Sequence, residues 1–206
     1  MSNEKVLLLP EEKDRVICIF NDIDQVEYSK VQRIISDIKI DDARIAAHNA
    51  NILKKYFNID INFNTKAYNK PIKFVINTYG GDCYNGLGIY DLINNLTKSY
   101  EVQMEGNGIV ASCGLIIFLA ADIENRVCTK NTTFLLHQVS GGNVGKLKDM
   151  QETLIEETRI NDKLFNIIKN STNISEEQLK KNFNSKQDWY IDAYQAKELG
   201  IVNKII

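Results

Sequence analysis

Gly108-Ile-Val-Ala-Ser112-Cys113-Gly114, followed by the apolar run from Leu115 to Ala121, is the stretch whose reading decides the fold. A glycine, then Ala-Ser-x-Gly, then an apolar run predicts a strand that turns sharply into a buried helix. Such a turn lifts the Ser112 hydroxyl out of the backbone at the first turn of the helix. That first turn has unpaired N–H groups and a partial positive charge, so a nucleophile there has a ready site for an oxyanion. A serine hydroxyl needs a general base beside it at neutral pH. His137 is the natural base, because imidazole titrates near neutrality. Asp188 can fix the tautomer of that imidazole and steady the imidazolium. The second oxyanion donor is expected at Gly80-Gly81, where glycine lets the backbone approach a ligand and adopt positive φ. The N–H groups of Gly81 and Cys113 are the assigned pair.

Working outward, β-branched runs predict strands at Arg15 to Phe20, Ile72 to Ile76, Tyr100 to Met104, Arg126 to Cys128 and Thr133 to Leu136. Helical spacing covers 25–57, with a possible break at Ile40-Asp-Asp42, and also Gly86 to Leu96, 146–168 and Ala193 to Leu199, with Gly200 as a C-cap. The Asn-rich stretch 58–70 reads as a surface loop. Strands alternating with helices imply one α/β domain over 1–206 with parallel pairing.

Bulk properties narrow the function. The chain has 206 residues and a net charge of −2, so no basic field argues for nucleic acid. No run of apolar residues is long enough to span a membrane, and Met1-Ser-Asn-Glu-Lys5 lacks a signal-peptide pattern. A cytoplasmic protein is expected. Cys18, Cys83, Cys113 and Cys128 show no C-x-x-C spacing and read as reduced structural thiols. His48 and His137 are the two histidines, so no metal site is expected.

Each singled-out residue also has a plainer reading. Ser112 could cap a buried helix, His137 could be a satisfied core histidine, and Cys113 an inert buried thiol rather than a nucleophile. His48 reads as a packing or surface residue, and Asp192 as the cap of the Ala193 helix. The stripe Leu147, Met150, Leu154, Ile160, Leu164 and Ile167 is core, interface or both.

Six segments in order resemble the Clp protease proteolytic subunit family: Ile76-Asn-Thr-Tyr-Gly-Gly81, Gly86-Leu-Gly-Ile-Tyr-Asp91, Gly108 to Gly114, Leu136-His-Gln-Val-Ser-Gly-Gly142, Asp188-Trp-Tyr-Ile-Asp-Ala193 and Ala196 to Ile205. The resemblance covers roughly 70–206. It implies a crotonase-like spiral of ββα units with a protruding handle helix at 146–168, and a serine endopeptidase with Ser112, His137 and Asp188 as its triad. It also implies that Gly81 and Cys113 form the oxyanion hole and that Gly141 and Gly142 pair with an extended peptide substrate. The partners implied are further copies of the chain in a heptameric or tetradecameric ring, and a AAA+ unfoldase. The unfoldase would consume ATP, so this chain needs no cofactor. The family's Ser-Pro-Gly-Gly is Thr78-Tyr79-Gly80-Gly81 here, and its His-Gln-Pro is His137-Gln138-Val139. Lys186 and Gln187 replace a ring-locking Asp-Arg pair, while Lys73 and Val75 replace aromatics of the unfoldase docking cleft. Residues 25–70 are longer than the family's equivalent. Two other readings stand beside this one: a crotonase-type enzyme acting on acyl-CoA thioesters, and a non-catalytic subunit that co-assembles with an active paralogue.

Overall fold

Three apolar runs set the frame: β1 (Val16–Ile19), β2 (Ile72–Thr78) and β3 (Val102–Ala111). They lie side by side and parallel in a computed structural model that describes residues 15–58, 70–142, 144–184 and 187–206. Strand β3 does not stop at Met104, as its apolar run predicts, but continues through Gly106 and Gly108. Its register with β2 slips there: Ile76 faces Gly106, yet Thr78 faces Val110. The extra residues make a bulge, and Gly108 at φ 70° takes up the bend.

The bend gives one strand two sets of neighbours. Before it, β3 pairs with β4 (Arg126–Cys128), which carries β7 (Lys204–Ile205) on its other side. After it, β3 pairs with β5 (Thr133–Leu136), and β5 pairs antiparallel with β6 (Trp189–Asp192). This is the turning sheet of the crotonase-like α/β fold. Because β2, β3 and β5 are parallel, their carboxyl ends emerge at one edge, where ligands of such sheets bind. The start of the antiparallel β6 comes to the same edge.

Helices cover the sheet. α1 (Gln25–Phe57) is one continuous helix, capped by the Asp24 carboxylate on the Glu27 N–H and ended by Asn58 in the left-handed region. The break expected at Ile40-Asp-Asp42 is absent because the Asp42 side chain is engaged elsewhere. It pairs with Arg15 and lies near Tyr100, and burial together with that carboxylate pushes the phenol up to about 12. Only the first half of α1 buries apolar side chains, Val31 and Ile35, while Tyr56 and Phe57 are bare. Of the expected 58–70 loop, 59–69 lie outside the described residues, as does Lys186.

α2 (Cys83–Leu96) starts three residues before the expected Gly86, since the Asp82 carboxylate caps it by accepting from the Asn85 N–H at 2.8 Å. α3 (Cys113–Phe118) is buried along its whole length. α4 (Leu147–Ser171) runs three residues past the expected end and divides in two. Its carboxyl half buries Ile160, Leu164 and Ile168, whereas Leu147, Met150, Leu154 and Ile155 near its start are exposed. α5 (Glu176–Asn184) was not anticipated. Its signals are Ser175, whose hydroxyl accepts from the Gln178 N–H at 3.2 Å, and the buried pair Leu179 and Phe183 one turn apart. α6 (Ala193–Glu198) has the expected Asp192 cap, and Gly200 follows it at φ 69°. The rings of Phe118 and Phe134, both fully buried, meet edge-on at 5.3 Å. Truncating either would cost about 3–5 kcal/mol.

Candidate active site

Ser112 follows the last residue of β3, and its N–H donates to the Leu135 carbonyl of β5 at 3.0 Å. Its backbone lies at φ 52°, ψ −124°. A non-glycine residue held there stores about 1–3 kcal/mol of strain. The strain belongs to a sharp strand-to-helix elbow, the arrangement that exposes a nucleophile above a sheet. Ser112 stands at the cap position of α3, but its hydroxyl accepts from no amide of that helix. Helix capping therefore does not explain the residue.

Gly80 and Gly81 follow β2 at φ 103° and 147°. A Cβ on Gly80 would sit 2.7 Å from that of Ser112, so the two turns interlock. Ile23 bridges the segment, its N–H donating to the Gly80 carbonyl at 2.8 Å and its carbonyl accepting from Asp82 at 2.7 Å. In a parallel pair that pattern turns the N–H of the intervening residue, Gly81, to the other side. The Gly81 N–H donates to no described residue, and neither does that of Cys113, the first residue of α3. Thr78 ties the turn down. Its hydroxyl donates to the Asn21 carbonyl at 2.6 Å and accepts from the Gly80 N–H at 3.1 Å.

His137 leaves β5 half-buried. Its Nδ1 lies 2.6 Å from the Gln138 carbonyl oxygen. A carbonyl can only accept, so Nδ1 carries a proton in this contact, and in a neutral ring Nε2 would keep its lone pair. Asp188 immediately precedes β6. The last cross-strand pair is Leu136 with Trp189, which leaves His137 and Asp188 each one residue beyond the end of the ladder, on adjacent strands. The two side chains are nevertheless not hydrogen-bonded; Asp188 is exposed, and His137 is satisfied by its own neighbour.

Gly81, Cys83, Ser112 and His137 line one small pocket of about 40 Å³, to which α4 contributes Ile168 and α5 Phe183. Asp188 is not among the lining residues. Gly141 and Gly142 lie beyond it, exposed and without regular structure. A side chain on Gly141 would strike the Glu157 carboxylate of α4, while one on Gly142 would meet open space. Between them and His137, the Val139 N–H donates to the Asn161 side chain of α4 at 3.1 Å. A proline at 139 could not make that bond. Lys73 is paired with Glu105 at 2.5 Å.

Sequence reasoning missed Cys83, Asn161 and Phe183. Cys83 carried a signal only in hindsight, at the first position of a capped helix directly after the glycines. Asn161 and Phe183 depend on how α4 and α5 pack. Among the described residues no three His, Cys, Asp or Glu side chains cluster as metal ligands would, and no helix is long and apolar enough to cross a membrane.

Comparisons with known proteins bear on this site. The family model for Clp protease matches residues 47–206. The ATP-dependent Clp protease proteolytic subunit 3 of Rhizobium etli is 34% identical over 140 residues, covering 68% of this chain and 70% of the relative. Subunit 2 of Pseudomonas aeruginosa is 38% identical over 136 residues, 66% of either chain. Among solved structures, a ClpP1 mutant from Listeria monocytogenes superimposes with a TM-score of 0.70 at 27% identity, covering 94% of this chain and 91% of that one.

Proposed function

This chain belongs to the Clp protease family as a proteolytic subunit, and on that premise we propose that it is a serine endopeptidase with Ser112 as nucleophile, His137 as general base and Asp188 as the carboxylate that orients it. The observation that carries the reading is the strained elbow at Ser112, flanked by the unpaired N–H groups of Gly81 and Cys113. In the proposed reaction the Ser112 Oγ attacks a peptide carbonyl while Nε2 of His137 takes its proton. The oxyanion rests on the two amides, each worth about 3–4 kcal/mol of transition-state stabilisation. His137 then protonates the leaving amine, and water releases the acyl group by the reverse sequence.

With Nδ1 donating to the Gln138 carbonyl, a neutral His137 ring has the tautomer a base requires. The Gln138 carbonyl cannot stabilise an imidazolium as a carboxylate can. In this reading the ring turns from Gln138 to Asp188 to complete the triad, and the pairing of the neighbouring Leu136 and Trp189 supports their approach. The substrate is an unfolded polypeptide, its extended main chain lying along 139–142 against Gly141 and Gly142. The bare amino half of α4 is the proposed handle through which copies assemble into a heptameric or tetradecameric ring. In this reading a cytoplasmic AAA+ unfoldase supplies the ATP-driven step, and the chain itself carries no cofactor. Among the described residues no carboxylate lines the pocket beside Ser112 and His137, which favours the serine reading over the acyl-CoA alternative with its acidic base.

Fluorophosphonate labelling tests this directly, run alongside light scattering. The expected result is label on Ser112 in a ring-sized particle, abolished by His137→Ala. An assembled, folded protein that never labels at Ser112 would remove the peptidase reading and favour a non-catalytic subunit.

A further inference from the structure

Two thiols meet at the oxyanion site. The Cys113 thiol donates to the Cys83 sulfur across 3.5 Å. Cys113 supplies one of the two oxyanion amides, and Cys83 lies two residues beyond Gly81, which supplies the other. Cys83 is half-buried and lines the pocket with Ser112 and His137, whereas Cys113 is buried behind it. Neither Cys18 nor Cys128 has such a neighbour among the described residues.

We propose that Cys83 and Cys113 are a reversible oxidation site, and that the disulfide between them shuts down the oxyanion hole. The inhibitory half of this rests on the serine peptidase reading above. A disulfide needs the sulfurs about 2.05 Å apart, so the bond draws the first residues of α2 and α3 together. Little slack is available. A Cβ on Gly86 of α2 would already lie 2.8 Å from the Cys113 Cβ. The movement therefore passes into the Ser112 elbow and the Gly81 turn, which position the two amides.

The chemistry divides between the two thiols. The hydrogen bond from Cys113 holds the Cys83 thiol below its ordinary value, while giving that proton to its neighbour, together with burial, pushes Cys113 up. Cys83, which lines the pocket, is thus the attacking thiol, and Cys113, buried behind it, the resolving one. The oxidant is a peroxide entering by the substrate pocket. The Cys83 sulfur attacks one peroxide oxygen, an S–O bond forms, the O–O bond breaks, and hydroxide leaves to collect a proton as water. Cys113 then loses its proton and attacks the Cys83 sulfenic acid; the S–S bond forms, the S–O bond breaks, and a second water departs. Two thiols and one hydrogen peroxide give one disulfide and two waters, and a dithiol reductant reverses the change.

The test treats the full chain with hydrogen peroxide and then reads two quantities: the peptide map by mass spectrometry and the rate of fluorophosphonate labelling at Ser112. The expected result is a Cys83–Cys113 cross-linked peptide, lighter by two hydrogens, with labelling slowed about a hundredfold or more, as for loss of an oxyanion donor. Dithiothreitol should restore the rate. Cys83→Ala, compared with itself before and after peroxide, should keep its own rate. A map without the cross-link, a cross-linked protein that labels at the reduced rate, or a Cys83→Ala protein equally sensitive to peroxide would each overturn the proposal. If even the reduced protein never labels, the peptidase reading and the inhibitory role fall together, while the mass map alone decides whether the thiols pair.

Discussion

On one side of the pocket, Ser112, Gly81 and Cys113 hang from backbone that is tied at nearly every step: to Leu135, to Ile23 and to Thr78. On the other side, His137 and Asp188 each stand one residue past the last rung of the β5–β6 ladder, half-buried and exposed respectively, and among the described residues Asp188 has no hydrogen-bond partner. The groups that would hold transition-state charge are fixed in advance, as electrostatic preorganisation requires. The proposed base and its carboxylate are not joined. On the proposed reading, such a subunit carries the costly half of a catalyst ready-made and leaves its activation to the cheaper half.

The largest effect should come from breaking the fixed side at its strained point. Ser112→Gly removes the nucleophile and should lower turnover by about 10⁶-fold, the size seen when a serine peptidase loses that group. The same change relieves the positive φ, so the variant should be more stable by up to about 1 kcal/mol despite glycine's unfolded-state entropy. Thermal or urea unfolding beside the activity assay checks both. A Ser112→Gly protein less stable than the parent would mean that the elbow stores no strain.

The two sides should also respond differently to assembly. Gly81→Ala puts a Cβ against the Ile23 carbonyl and 2.7 Å from its nitrogen. It should cost about 10²–10³ in rate at every protein concentration, because the donor it displaces is always in use. Asp188→Ala should cost little in dilute protein, where His137 is held by Gln138. Its cost should rise towards about 10⁴-fold where packing between copies turns the ring onto the carboxylate. Labelling rates over a concentration series separate the cases. Equal, concentration-independent losses from both variants would show that the relay is as preformed as the hole.

What the sequence made legible follows the same division. The Ser112 elbow, the Gly80-Gly81 turn and the alternation of strand and helix are local events, written in short runs of glycine, small residues and β-branched residues. The identity of the family was legible too, in six ordered segments. The continuity of α1 was not, because Asp42 looks like a helix breaker until Arg15 and Tyr100, distant in sequence, are seen to engage it. The bend in β3 was read as the end of a strand, since a bulge has meaning only against the register of β2. Helix α5 was missed although Ser175 and the Leu179–Phe183 pair announce it, because its polar composition outweighed one apolar face. The state of Asp188 was beyond reach, since no local pattern reports whether two opposed side chains have joined.

The smallest effect concerns the clasp between the two sides. Tyr84, in the first turn of α2, donates to the Glu156 carboxylate of α4, as does Arg159. Next to Glu156 is Glu157, which packs on Gly141, and one turn on is Asn161, which holds the Val139 N–H. The clasp thus joins the fixed glycine turn to the loop where substrate would lie. Arg159 first, and Tyr84 second, pull the Glu156 carboxyl down from 4.5 to about 2. A carboxyl lowered by folding stabilises the folded form above its unfolded value, so this contribution is present above about pH 4.5 and lost as pH falls towards 2. The pair is fully exposed, so the effect on global stability should be slight; its signature is local. The carbon resonance of the Glu156 carboxyl should titrate far below that of an ordinary glutamate. In Glu156→Gln the Val139 amide should exchange with solvent faster, while the Ser112 amide, bonded to Leu135, keeps its protection. A normal glutamate midpoint would dissolve the clasp. Equal loosening at both amides would show that the two sides move as one body, and that His137 waits for Asp188 for a reason other than the looseness of its surroundings.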